Sequence, residues 1–282
     1  MDSVLNKQSL NRKTIDKSIY IPYGIEIEVE GIDYDEGVKV LRHKITDDWR
    51  IKTDRSLDNG GIELVSPVLT NTKENIIILK KIASTLEFLG AKFEHASFQI
   101  NFDAYDFTND NIIYLLKIFS IYENVIYRFS SGVNESMRHN INYALPLGRI
   151  FYYKYNNSDI QESYNIFINN KSFALSLKTK SRNCDDPIKV VEFRTPNGTC
   201  SFYLWMNYIV FFSSFLKCVK TRKYDKEYID HLFSRMELFE HIDELIRVDE
   251  VKANEFAHLI YQSDAEKECF FRQYYDKKIL TR

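Results

Sequence analysis

In the run Gly24-Ile25-Glu26-Ile27-Glu28-Val29-Glu30, acidic and branched apolar side chains alternate. Successive side chains of an extended strand point to opposite faces, so Glu26, Glu28 and Glu30 share one face while Ile25, Ile27 and Val29 share the other. Same-face neighbours then lie roughly 7 Å apart, close enough to repel one another and to capture divalent cations jointly. Glutamate is depleted in strands, and three like charges in a row are unfavourable without a neutralising partner. A solvated outer face is the plain alternative, and this segment alone does not choose between the two.

Other extended segments repeat the arrangement. Ser97, Gln99, Asn101 and Asp103 oppose Phe98, Ile100 and Phe102; Glu192 and Arg194 oppose Val191 and Phe193; Ser172, Ser176 and Lys178 oppose Phe173, Leu175 and Leu177. A sheet built from these strands presents one broad polar face of carboxylates, amides, an arginine and a lysine. Magnesium takes hard oxygen ligands and bridges protein carboxylates to phosphates, so such a face suits metal and phosphate together. With nine glycines and neither GxxxxGK[ST] nor GxGxxG, no glycine-rich phosphate cradle is present. Phosphate would be clamped by metal and by cations, with Arg194, Lys178, Arg128 and Arg149 as candidates.

The elements that must position these groups are legible from periodicity. Two-residue alternation predicts strands over residues 23–30, 49–54, 62–66, 93–103, 172–178 and 188–194. Helical patterns cover 71–90, with Asn71 and Glu74 in capping-box spacing and Gly90 as terminator, and 110–129. After Gly198 the pattern is helical throughout: 201–220, 226–247, 252–262, and a last helix opened by Ser263 and Glu266. Sheet first and helices last predicts an α+β fold. The expected organisation is a polar leader at 1–18, a catalytic domain at 19–222 and a helical extension at 223–282 packed on it.

Composition narrows the partners. The 282 residues carry a net charge of −2, so no overall basic field is available to hold nucleic acid. Cys184, Cys200, Cys218 and Cys269 lack CxxC spacing and the six histidines lack HExxH, so neither a zinc site nor a disulfide framework is signalled, and a cytoplasmic location is expected. Residues 195–216 are free of charge and long enough to span a bilayer, but Pro196, Asn197, Gly198, Asn207 and several hydroxyls favour a buried core helix and no membrane association.

Four segments together resemble the amidoligase family, a group of carboxylate–amine ligases related to glutamine synthetase and glutamate–cysteine ligase. They are Gly24 to Glu28; Trp49 to Asp54 followed by Ser56-Leu57; Gly61-Ile62-Glu63-Leu64-Val65-Ser66-Pro67; and Val191-Glu192-Phe193-Arg194 with Asn197-Gly198-Thr199. The resemblance implies a glutamine-synthetase-like domain, an open funnel of antiparallel strands with helices on its apolar side. It also implies an ATP-dependent reaction in which a carboxylate becomes an acyl phosphate and an amine then displaces phosphate. Carried over by position, Glu26, Glu28 and Glu192 would be ligands of magnesium or manganese. Glu63 would take a metal or the amine, Arg194 would clamp phosphate or carboxylate, and Asp54 and Ser66 would line the substrate end. Glu30 lies beyond the motif.

One departure stands out. Where many amidoligases carry His-x-His, this chain has Gln99 and Asn101, in a run similar to the S-x-Q-x-N-x-D segment of plant-type glutamate–cysteine ligases. Their carbonyl oxygens can still meet magnesium or nucleotide, and with Arg194 and Lys178 they form the expected nucleotide side. Nearby His95 reads as structural. The substrates implied are small-molecule or peptide carboxylates and amines, with the Tyr-, Asn- and Arg-rich stretch 128–157 as a substrate loop or a surface excursion. A degenerate ligand-binding module and a metal-dependent hydrolase are the alternatives, and oligomeric state is open.

Overall fold

The computed structural model describes residues 21–55, 57, 61–131, 143–180, 187–239 and 242–276. The expected leader, Ser56 and Cys184 lie outside the described residues. Among the described residues six strands form one sheet: β1 (Tyr23–Val29), β2 (Arg50–Asp54), β3 (Gly61–Val65), β4 (Phe98–Asp103), β5 (Leu175–Thr179) and β6 (Ile188–Phe193). Their order is β2-β3-β1-β4-β6-β5, and every neighbouring pair is antiparallel. Each expected extended run overlaps one of these strands, although β4 begins at Phe98 and β5 at Leu175, later than the alternation suggested. The fold is α+β with an open antiparallel sheet, as expected.

Helices cover the apolar face. They are α1 (Tyr34–Leu41), α2 (Lys73–Phe88), α3 (Asn109–Ile121), α4 (Glu123–Ser131), α5 (Gly148–Asn157), α6 (Ile160–Asn165), α7 (Phe202–Lys220), α8 (Lys226–Ser234), α9 (Ile242–Leu245), α10 (Glu250–Ile260) and α11 (Asp264–Tyr275). The cap of α2 falls on Thr72 rather than Asn71: its hydroxyl accepts from the Asn75 N–H, and Gly90 ends the helix region in the left-handed conformation its missing Cβ permits. The predicted single helix over 110–129 is two, because the backbone at Tyr122 leaves helical geometry, and the stretch from 226 to 247 is likewise broken after Ser234. Ser263 and Glu266 form the expected capping box on α11.

Helix α7 lies against the sheet. Trp205 stacks on Phe98 with ring centroids 5.4 Å apart, and Phe212 stacks on Phe193 at 4.1 Å. Phe193 is fully buried, and truncating such a ring to Ala costs ~3–5 kcal/mol. The C-terminal helices join the same core: Phe256 of α10 stacks on Tyr122, and Phe270 of α11 on Phe129 and Phe211. Among the described residues α7 is the one helix long and apolar enough to cross a bilayer, and it is enclosed by the sheet and these helices instead. Ile25, Ile27 and Val29 of β1, Phe98, Ile100 and Phe102 of β4, and Val191 and Phe193 of β6 are thereby committed to the core, which obliges the alternate residues to face the other way.

Candidate active site

Register converts the separate polar alternations into rows that run across the sheet. Lys52, Glu63 and Glu28 stand side by side on β2, β3 and β1. Glu26 stands beside Gln99, and Asn101 beside Glu192, which is in turn opposite Ser176. Directly opposite and diagonal side chains on one face of antiparallel strands lie within reach of one another.

Three groups of contacts result. In the first, the Glu28 carboxylate accepts from the Ser97 N–H at 2.8 Å and from the Gln99 side-chain amide at 2.7 Å, and Gln99 in turn accepts from Arg194. In the second, the Lys178 ammonium donates to Glu192 Oε1 and Asn101 Oδ1, both at 2.8 Å, and lies 4.0 Å from Glu26 Oε1. The Asn101 amide also donates to Glu26 at 3.1 Å. In the third, Glu26 and Glu63 are hydrogen-bonded to each other, and Lys52 donates to Glu63 at 3.0 Å.

Two carboxylates in contact require a proton or a cation between them. Burial pushes the Glu63 carboxyl above the ordinary range, and repulsion from Glu26 adds to it against the pull of Lys52. Burial acts on Glu26 in the same direction, but Lys178, the bond with Glu63, Lys171 and the Asn101 amide together bring it below the ordinary range. Glu192 is fully buried, and among the described residues its Oε2 has no hydrogen-bond partner; the Ser176 hydroxyl opposite is buried and likewise without one. A buried carboxylate oxygen left without a donor is costly unless a cation or ordered water completes it.

The structure brings together Glu26, Glu28, Glu63, Gln99, Asn101, Lys178, Glu192 and Arg194 on one face, with Glu28 linked through Gln99 to Arg194. It does not gather Glu26, Glu28 and Glu192 at one point: among the described residues no three acidic, histidine or cysteine side chains converge with metal-binding geometry. Arg194 is buried and bonded to Gln99, to the Tyr143 carbonyl and, at 3.5 Å, to Glu192, so in this state it fastens the protein to itself. Ser66 accepts from the Ile25 N–H and donates to the Pro67 carbonyl, which ties β3 to β1. Asp54 ends edge strand β2 opposite Gly61.

Two expectations need correction. Arg128 is no phosphate clamp: it is buried on the helical side, where it donates to the carbonyls of Tyr274 and Ile246. Glu30 does not extend an open acidic row, since it is buried and accepts from the His95 backbone at 2.9 Å, with the His95 ring at 3.2 Å. The pairing of Lys52 with Glu63 and of Ser176 with Glu192 went unseen in the sequence. Alternation places each on the polar face, but only register makes them neighbours.

A family model described as "Putative amidoligase enzyme" matches residues 8–216. Among solved structures, the chain is similar to a bifunctional glutathione synthetase from Pasteurella multocida at 12% identity and a TM-score of 0.49, covering 99% of this chain and 50% of that one. It is also similar to a glutamine synthase homologue at 9% identity and a TM-score of 0.38, covering 96% of this chain and 74% of that one. The chain thus spans half the length of the glutathione synthetase. No curated protein gives a significant match.

Proposed function

The chain belongs to the amidoligase family, and from that premise we propose that it is an ATP- and magnesium-dependent ligase that joins a carboxylate to an amine. The observation that supports this most directly is the crowding of carboxylates on one sheet face: Glu26 in contact with Glu63 and, across Lys178 from Glu26, buried Glu192, whose Oε2 has no hydrogen-bond partner among the described residues. The donor set is all oxygen, from carboxylates and the Asn101 amide, which fits magnesium or manganese and gives a thiophilic metal no ligand. Glu26 and Glu192, with the Asn101 amide oxygen, would hold the metal, which when bound would screen the phosphate charge, and Glu63 is left for the amine.

In the reaction proposed, an oxygen of the acid substrate attacks the γ-phosphorus of ATP and ADP leaves, giving an acyl phosphate. The amine nitrogen then attacks the acyl carbon and phosphate departs. Glu63, with its raised pKa and partial exposure, is placed to take the proton that the amine loses. Lys178 and Arg194 supply the cationic side of the face. Among the described residues, Cys200, Cys218 and Cys269 are in no disulfide, which suits a reducing cytoplasm.

One observation favours a degenerate binding module instead. The amides that stand in place of His-x-His are engaged by the protein itself, Gln99 by Glu28 and Arg194, and Asn101 by Glu26 and Lys178. Calorimetric titration of magnesium·ATP, followed by trapping of acyl phosphate with hydroxylamine over a panel of amino acids and peptides, separates the readings. The ligase reading expects nucleotide binding that Glu192→Gln removes, and hydroxamate formation with at least one acid. Binding without hydroxamate or ADP release from any acid supports the module, and no nucleotide binding at all overturns the ligase reading.

A further inference from the structure

Lys178 sits where its neighbours would otherwise hold a metal ion. Its Nζ is 2.8 Å from Glu192 Oε1, 2.8 Å from Asn101 Oδ1 and 4.0 Å from Glu26 Oε1, so three oxygens from three strands converge on one ammonium. We propose that Lys178 is a tethered cation that occupies the divalent-ion position between Glu26, Asn101 and Glu192 and is expelled when the ion enters. The inference rests on the metal reading of the site given above.

Four observations carry it. First, the partners differ in freedom: the Glu192 side chain is fully buried, whereas that of Lys178 is 27% exposed, so the lysine is the member able to leave. Second, the register of β5 against β6 shifts between Lys178 and Thr179, and such irregularities re-aim a side chain relative to its strand. Third, the ammonium completes the cage only in part. Glu192 Oε2 and the Ser176 hydroxyl stay buried without partners, and a divalent ion with six or more oxygen ligands, some of them waters, can use what three N–H donors do not. Fourth, without Lys178 the buried Glu192 would keep only its longer contact with Arg194, at 3.5 Å, so the lysine helps to neutralise it in the metal-free sheet.

The consequence is a built-in competition. Binding of the ion must include the cost of displacing Lys178, so the wild-type chain binds divalent ions more weakly than its oxygen set would allow. The freed ammonium is left on a flexible stem at the same face, where phosphate would arrive.

The test uses manganese alone, without nucleotide, on the full chain. In wild type, the rate at which an amine-reactive reagent modifies Lys178, read by peptide mass spectrometry, is expected to rise when manganese is added. Lys178→Met, which keeps the stem and removes the charge, is expected to bind manganese at least tenfold tighter by calorimetry. It should melt lower than wild type without metal and gain more from saturating manganese. Lys178→Arg, which retains the charge, should stay near wild type in the metal-free melt. Manganese binding to wild type with unchanged or slower labelling, or Lys178→Met binding no tighter, overturns the inference and leaves the metal reading standing. Absence of manganese binding to both proteins overturns the metal reading itself and the inference with it.

Discussion

Replacing Glu28 by Gln tests whether its hydrogen-bonded group on the acidic face has a fixed polarity. Glu28 accepts twice, from the Ser97 N–H and from the Gln99 amide, and Gln99 cannot turn its amide around without losing Arg194, which donates to its carbonyl. In Glu28→Gln one acceptor oxygen becomes an NH2 that must face another donor, in a site where Glu28 is 6% and Gln99 3% exposed. One lost hydrogen bond and a buried unsatisfied donor together cost roughly 2–3 kcal/mol. For a chain of this size that is a fall in Tm of roughly 5–10 °C. The exchange Glu28→Gln with Gln99→Glu restores these three pairings: the amide now on β1 would accept from the Ser97 N–H and donate to the carboxylate now on β4, which would also accept from Arg194. Urea and thermal unfolding of the single and double variants should therefore show most of the loss recovered. A single variant as stable as wild type, or a double variant no better than the single, would refute the polarity argument.

Glu123 on α4 is buried and accepts from the Leu147 and Gly148 N–H groups at 2.7 and 3.2 Å, at the start of α5. Burial pushes its carboxyl up from 4.5 to about 7 in spite of those two bonds. A raised carboxyl contributes stability that is fully present below pH 4.5 and lost as pH rises through about 7, and at ~1.4 kcal/mol per unit this amounts to roughly 3 kcal/mol. Urea titrations of Glu123→Gln at pH 5 and pH 8 should show a decline smaller by that amount; an unchanged difference counts against the assignment. Gly198→Ala should lower Tm, because a Cβ there would lie 2.9 Å from the Ala96 carbonyl and 2.8 Å from the Phe93 ring, beside the bridge between Ser97 and Asn197. Overpacking of this kind costs ~1–3 kcal/mol, and an unaltered melt would show that the loop gives way.

Alternation of apolar and polar residues determined the face on which each candidate group lies, because the side-chain period of a strand is two whatever its partners are. Ile25, Ile27, Phe98, Ile100 and Phe193 all enter the core, and so Glu26, Glu28, Gln99, Asn101 and Glu192 could only face the other way. The caps at Ser263 and the stop at Gly90 were legible for a similar reason, since they depend on atoms three or four residues apart. Strand order and register were not. They depend on contacts between segments up to about a hundred residues apart, such as Gln99 with Arg194, and no local pattern encodes which strand lies beside which. The break at Tyr122 is also tertiary, for there the ring stacks on Phe256 of a helix far along the chain. The chemistry of the face was decided at that level too. Composition along the strands supplied the carboxylates, but register alone made Glu26 and Glu63 diagonal neighbours, seated Lys178 among three oxygens and left Glu192 with an oxygen that nothing among the described residues bonds.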